Sequence, residues 1–276
     1  MKLSDTQKIS AILPLKNSPL IHCITNDITI ETVANSILYI GGKPIMSSDV
    51  REFSELFKTT RALFLNMGRM TENHEQSLKL ASHYAHQTQK PTVVDLVGYG
   101  ITPQRTAVGK EITSFYPDIV KGNISEMRRF VGLSSTAKGI DRSEEDQNSV
   151  SLKELITSLK VLASKFPKTV FVATGPSDII VQDSRHLILN NGVKSLDRIV
   201  GTGDLVGAIM ATVLGAGHDS WLASLFSISY INIAGEKAFI KTKGQGLESF
   251  RQSFLDEISI LWQDENWIDS LSDDEY

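Results

Sequence analysis

Cysteine is almost absent from this chain: Cys23 stands alone in 276 residues, which excludes an intrachain disulfide and a thiolate metal cluster. No run of Lys or Arg forms a basic stripe and the formal net charge is −4, so nucleic acid is not an expected partner. Long apolar runs are missing too. The longest near the C-terminus, "WLASLFSISYINIAG" (221–235), is interrupted by serines and an asparagine and is too short to span a bilayer. It reads as a helix buried inside the protein, and no membrane association is expected. "MKLSDTQKIS" has no apolar stretch after its first lysine, so no signal peptide is expected and a cytoplasmic enzyme is the natural class. There is no G-x-x-x-x-G-K-[ST], which excludes a P-loop, and no G-x-G-x-x-G after a first strand, which argues against a standard dinucleotide fold. No H-x-x-x-H spacing occurs, so zinc is disfavoured.

What is present is an ordinary globular composition, 41% apolar and 22% charged, enough to bury a full core. Short β-rich runs at 19–25, 43–46, 62–66, 91–97, 118–121 and 169–175 alternate with helix-compatible segments at about 29–40, 50–60, 71–89, 103–115 and 124–131. That alternation predicts an α/β fold with a mostly parallel central sheet and helices on both faces. After Thr174 the pattern changes: "DIIVQD" and "HLILNN" predict a small hairpin at the sheet edge, and helices at about 204–216, 219–241 and 247–263 follow. The polar tract 134–149 reads as a surface excursion, and the tail from about 269 to 276 as loose. No repeat or linker divides the chain, so one domain over 1–276 is expected.

In such a sheet, ligands bind beyond the carboxyl ends of the strands. "CITND", "VVDLVGYG", "VKGNISE" and "VATG" fall just there, and Gly201-Thr202-Gly203-Asp204 opens an apolar helical run. A helix N-terminus carries unpaired N–H groups and roughly half a positive elementary charge, and glycines let an anion approach them closely. Asp204 has two readings, a helix cap or a catalytic base, and the polar company at the other strand ends favours the base. Asp95, after "PTVV", can hold Mg²⁺ through water or serve as a turn residue. Glu126 follows Asn123 by three residues at the start of a helix, the spacing of a capping box. Asn26 reads as a turn residue, and His22, in a strand-end motif, is given a structural role.

Assembled in order, "PLIHCITNDIT", "KPIMS", "LFLNMG", "PTVVDLVGYGITPQRT", "IVKGNISE", "VATG" and "IVGTGDLVGAIMA" resemble the hydroxyethylthiazole kinases of the ribokinase-like superfamily, from about Pro19 to the C-terminal helices. The resemblance implies a ribokinase-like three-layer sandwich. It also implies ATP- and Mg²⁺-dependent phosphorylation of 4-methyl-5-(2-hydroxyethyl)thiazole in thiamine salvage, and a homotrimer with active sites at subunit interfaces. Carried over by motif, Asn26, Met46 and Gly201 would contact the thiazole. Thr174, Lys121 and Asn123 would serve the nucleotide, and Asp95 and Glu126 would organise Mg²⁺. Gly201, Thr202 and Gly203 would form an anion hole beside the base Asp204. Three departures stand out. The chain has Asp204 where the family usually has cysteine, Lys121 where it usually has arginine, and Asp95-Leu96-Val97-Gly98 for the familiar D-P-V-G. A related kinase acting on hydroxymethylpyrimidine or pyridoxal, a repair dehydratase with a similar turn, and a non-catalytic thiazole or nucleotide sensor remain as alternatives.

Overall fold

The computed structural model describes residues 3–135 and 148–274. Six strands, β1 (Leu20–Ile24), β2 (Lys43–Met46), β3 (Ala62–Asn66), β4 (Thr92–Asp95), β5 (Ile119–Asn123) and β6 (Val170–Thr174), pair in parallel in the order β2-β1-β3-β4-β5-β6. The antiparallel hairpin β7 (Asp178–Gln182) and β8 (Arg185–Leu189) extends the edge beyond β6, and a two-residue β9 (Asp273–Asp274) pairs with β8.

The strands are apolar on both faces because helices cover both faces. Period-two alternation divides their side chains cleanly. Ile21, Cys23, Ala62, Phe64, Val93, Ile119, Val170 and Val172 enter one core, with α1 (Leu3–Ser10), α2 (Ile30–Tyr39), α8 (Thr202–Gly215), α9 (Ser220–Lys241) and α10 (Leu247–Ile260). Ile24, Leu63, Leu65, Val94, Val120, Phe171 and Ala173 enter the other, with α3 (Phe53–Thr59), α4 (Glu72–Thr88), α5 (Pro103–Thr113), α6 (Ile124–Phe130) and α7 (Ser149–Ala163). Three layers result, as expected. Among the described residues no helix is long and apolar enough to cross a membrane.

Three details differ from the expectations raised by the sequence. Helix α1 is formed, and its Ile9 is fully buried under the C-terminal helices. Helix α7 is formed as well, started by Asn148, whose side chain accepts from the N–H groups of Val150 and Ser151; it buries Leu155, Ile156, Leu159 and Ala163. The polar tract expected at 134–149 falls mostly on 136–147, outside the described residues. The tail is tied down as far as Asp274, because the open edge of β8 offers it backbone partners. Ser272 N–H donates to Asn191 Oδ1 at 2.6 Å, Asn191 Nδ2 donates to Ser270 O at 2.9 Å, and Asn190 N–H donates to Ser272 O at 3.0 Å.

Candidate active site

Parallel strands end together, so their last residues meet at one end of the sheet. Asn66, Asp95, Asn123 and Thr174 close β3, β4, β5 and β6, and Asn66, Asp95 and Lys121 lie side by side across the ladder. They share parity with Phe64, Val93 and Ile119 and therefore face the layer that contains α8. Gly207 lets α8 sit close over them: a Cβ there would meet Phe64 Cε2 at 2.5 Å and the Lys121 Cδ at 3.5 Å.

Gly201 begins α8 with φ +94°, a left-handed conformation that suits glycine, and no side chain caps the helix. Asp204 therefore is not the cap. Its carboxylate, 8% exposed, is held by three side chains. Oδ2 accepts from Asn26 Nδ2 at 3.0 Å and from the Thr29 hydroxyl at 2.5 Å, and Oδ1 accepts from Asn66 Nδ2 at 2.8 Å. The amide orientations follow from the backbone. Asn26 Oδ1 accepts from the N–H groups of Ile28 and Thr29, and Asn66 Oδ1 accepts from Gly68 N–H at 2.7 Å, so both NH₂ groups must point at the carboxylate.

Asn66 also reaches towards Asp95 Oδ2, at 3.5 Å, which links Asp204 to a second acid. Asp95 and Lys121 form an ion pair of 2.7 Å, each side chain 2% exposed. Burial pushes the Asp95 carboxyl up to about 7; Lys121 opposes that, and the charges of Asp204 and Glu126 add to it. The Lys121 ammonium lies 3.6 Å from where a Cβ on Gly203 would stand, directly under the turn. Lys121 thus pairs with Asp95 and adjoins the glycine turn at once.

Glu126 forms the capping box that its spacing allowed. Its Oε2 accepts from Asn123 N–H at 2.7 Å, and Asn123 Oδ1 accepts from Glu126 N–H at 2.8 Å. Its Oε1 accepts from Gly98 N–H at 2.7 Å, fixing the loop after β4. Burial raises the Glu126 carboxyl, and these two backbone donors oppose the rise. Among the described residues no group of three or more His, Cys, Asp or Glu side chains is arranged as a metal cage. The donors at hand, Asp95 and Glu126, are oxygen ligands of the kind Mg²⁺ takes, since it binds through one or two carboxylates and keeps much of its water.

Thr174 helps line a cavity of about 470 Å³ between the β7–β8 hairpin and the start of α8. Gly175, Asn191, Lys194, Thr202, Gly203 and Asn232 line it as well, and this volume is ordinary for a small-molecule site. Thr202 and Gly203 of the glycine turn thus form part of the cavity wall. Met46 ends β2 beside Cys23, its side chain packed on the core shared with α8. His22 is structural: its Nε2 bonds Ser47 O at 2.8 Å, its ring meets Phe53 and Phe57 edge-on, and burial lowers its pKa. Two members of the network, Thr29 and Asn66, are not among the residues that the motifs single out. Asn66 sits in "LFLNMG" at a strand end, and that position is the signal that marks it.

The model of the Hydroxyethylthiazole kinase family matches residues 13–264. Among curated relatives, Hydroxyethylthiazole kinase 2 of Leuconostoc mesenteroides is 59% identical over 260 residues, covering 94% of both chains. The solved structure of hydroxyethylthiazole kinase protein from Pyrococcus horikoshii OT3 superposes with a TM-score of 0.82 at 27% identity, covering 99% of this chain and 98% of that one. A ribokinase-like superfamily protein from Enterococcus faecalis V583 shares the fold alone, with a TM-score of 0.67 at 12% identity over 96% of this chain and 95% of that one. The polar strand ends, the glycine turn and the layered sheet thus have one common source: the chain belongs to the hydroxyethylthiazole kinase family.

Proposed function

We propose that this chain transfers the γ-phosphoryl group of ATP to the primary hydroxyl of 4-methyl-5-(2-hydroxyethyl)thiazole, a salvage step toward thiamine. The observation that carries this reading is the Asp204 carboxylate, held by neutral side-chain donors beside an uncapped helix N-terminus instead of being spent on capping it. Uncapped N–H groups at Thr202, Gly203 and Asp204 suit an incoming phosphoryl group, and Asp204 suits the acceptor O–H. In the step itself the hydroxyl gives its proton to Asp204. Its oxygen bonds to the γ-phosphorus, and the bond from that phosphorus to the β-phosphate oxygen breaks to release ADP. The transition state is loose, so positioning and charge neutralisation matter more than the strength of the base. Turn amides and the nearby Lys121 ammonium offset the repulsion between Asp204 and the phosphates.

Thr174 and the adjoining cavity would take the nucleotide, with Asn123 at the neighbouring strand end; Asn26, Met46 and Gly201 would take the thiazole. Asp95 and Glu126 would hold Mg²⁺ through its water shell, and the charges of Asp204 and Glu126, which together with burial disfavour ionisation of Asp95, are the kind a dication relieves. When bound, Mg²⁺ would supply charge neutralisation at the phosphates. We further read the chain as one domain acting as a cytoplasmic homotrimer with interfacial sites. Ile28 and Val200, 69% and 73% exposed, flank Thr29 and Gly201 in the sequence and give the site's rim an apolar surface suited to a neighbouring subunit.

Phosphorus NMR of a reaction containing the protein, Mg·ATP and the thiazole alcohol tests the function. A new phosphomonoester coupled to the ethyl CH₂ protons is expected. ATP left intact, or converted to ADP and free phosphate only, would sink the reading.

A further inference from the structure

Thr29 precedes α2 at the N-cap position, where a threonine hydroxyl ordinarily accepts from a backbone N–H of the first turn. Here it makes no such bond. The hydroxyl turns instead to Asp204 Oδ2 at 2.5 Å, from a residue only 4% exposed. Helix α2 thus forgoes its usual cap, and the donor goes to a carboxylate 175 positions away in sequence. The two oxygens of Asp204 are then unequal. Oδ2 carries two donors, Asn26 and Thr29, whereas Oδ1 carries Asn66. An ionised carboxylate has about four acceptor positions, two on each oxygen. Oδ2 is filled, and Oδ1 keeps one position for a further donor.

We propose that Thr29 is a positioning residue for phosphoryl transfer: its hydroxyl, with Asn26, saturates Oδ2 and turns Oδ1 of Asp204 towards the acceptor hydroxyl. The inference rests on Asp204 being the base. Thr29 keeps its own proton throughout; the acceptor's proton goes to Oδ1 as the acceptor oxygen bonds to phosphorus and ADP departs. A carboxylate without this tether can rotate, and a misplacement of about 1 Å at a reacting group can cost on the order of 100-fold in rate.

Two substitutions separate the hydroxyl from the bulk of the side chain. Thr29→Val is nearly isosteric and keeps the methyl that packs against Gly201, 2.6 Å from where a Cβ there would stand. Thr29→Ser keeps the hydroxyl and drops the methyl. Each is made in the unsubstituted protein and in Asp204→Asn, and kcat, both KM values and Tm are measured. We expect Thr29→Val to lower kcat by about 10–100-fold with both KM values within roughly twofold. Thr29→Ser should recover kcat to within about threefold of the unsubstituted enzyme. In the Asp204→Asn background Thr29→Val should change kcat by less than about twofold, because its effect runs through the carboxylate. A Thr29→Val enzyme with undiminished kcat, or one that loses the same factor with and without the Asp204 carboxylate, overturns the inference. If Asp204→Asn alone leaves kcat unchanged, the base assignment itself falls, a result distinct from any behaviour of Thr29. Should Thr29→Val not fold, Thr29→Ser decides: recovered kcat supports the hydroxyl's role, and a loss beyond about 10-fold contradicts it.

Discussion

Asp204 and Lys121 carry charge in a place that is almost dry, and each has found a different solution. Asp204 is satisfied by neutral donors, so a change to asparagine puts an NH₂ group against an NH₂ or a hydroxyl. We expect Asp204→Asn to lower kcat by roughly 10²–10⁴-fold, the usual worth of a positioned base. The mispaired amide should also cost roughly 1–3 kcal/mol of stability. Urea unfolding beside single-turnover kinetics separates the two effects, and a destabilised variant with normal turnover would contradict the base assignment. Lys121 is satisfied by Asp95, and here pH gives a sharper test. A carboxyl raised in the folded state keeps a proton that the unfolded chain gives up, so its contribution to stability is lost as pH rises through the folded pKa. For Asp95 that loss is largely complete just above about 7. Lys121→Met removes the opposing ammonium, raises Asp95 further and extends the loss to higher pH. The stability gap between the two proteins should therefore widen above pH 7, towards about 3 kcal/mol, the cost of breaking a buried pair. A gap of constant size from pH 6 to 9 would contradict the pairing. The acids and Asn26 were legible in the sequence because they sit at strand ends next to turn residues. Thr29 was not, since a threonine before a helix reads as a cap until a distant carboxylate is seen to claim its hydroxyl.

At the scale of elements, the turn into α8 does most to shape the site. Gly201 has φ +94°, and a Cβ there would meet Thr29 Cγ2 at 2.6 Å, so both the backbone and the space demand glycine. Gly201→Ala is expected to cost about 1–3 kcal/mol and to lower kcat at least as much as it lowers stability, because the same strain displaces the turn amides and Thr29. An alanine variant as stable and active as the parent would show the turn to be unconstrained. The glycines of this turn announced themselves in the sequence. So did the parallel strands, whose apolar runs are too short for buried helices and too continuous for a half-solvated sheet. Helix α7 was passed over although Leu155, Ile156, Leu159 and Ala163 keep helical spacing. It follows directly on a polar tract, and only the sheet face it covers makes its necessity plain. The short β9 was illegible for a related reason: "DD" has no strand propensity of its own, and its pairing is provided by the edge of β8.

For the whole molecule, alternation gave the layers, whereas the order β2-β1-β3-β4-β5-β6 came only from the folded chain. Strand order decides that Asn66, Asp95 and Lys121 are neighbours, which is why the charged residues could be named from the sequence but not connected into a network. If the site is completed between subunits, sedimentation equilibrium should give three times the 30.4 kDa chain mass; a monomer with full activity would contradict that arrangement. The central claim is the reaction, and it is tested most directly by the rate of ADP release from Mg·ATP. The purified protein would be assayed alone and with the thiazole alcohol, hydroxymethylpyrimidine or pyridoxal. Release that depends on the thiazole alcohol and is at least about tenfold slower with the other two acceptors is the predicted result. Faster release with another acceptor, or thiazole binding without any turnover, would contradict it.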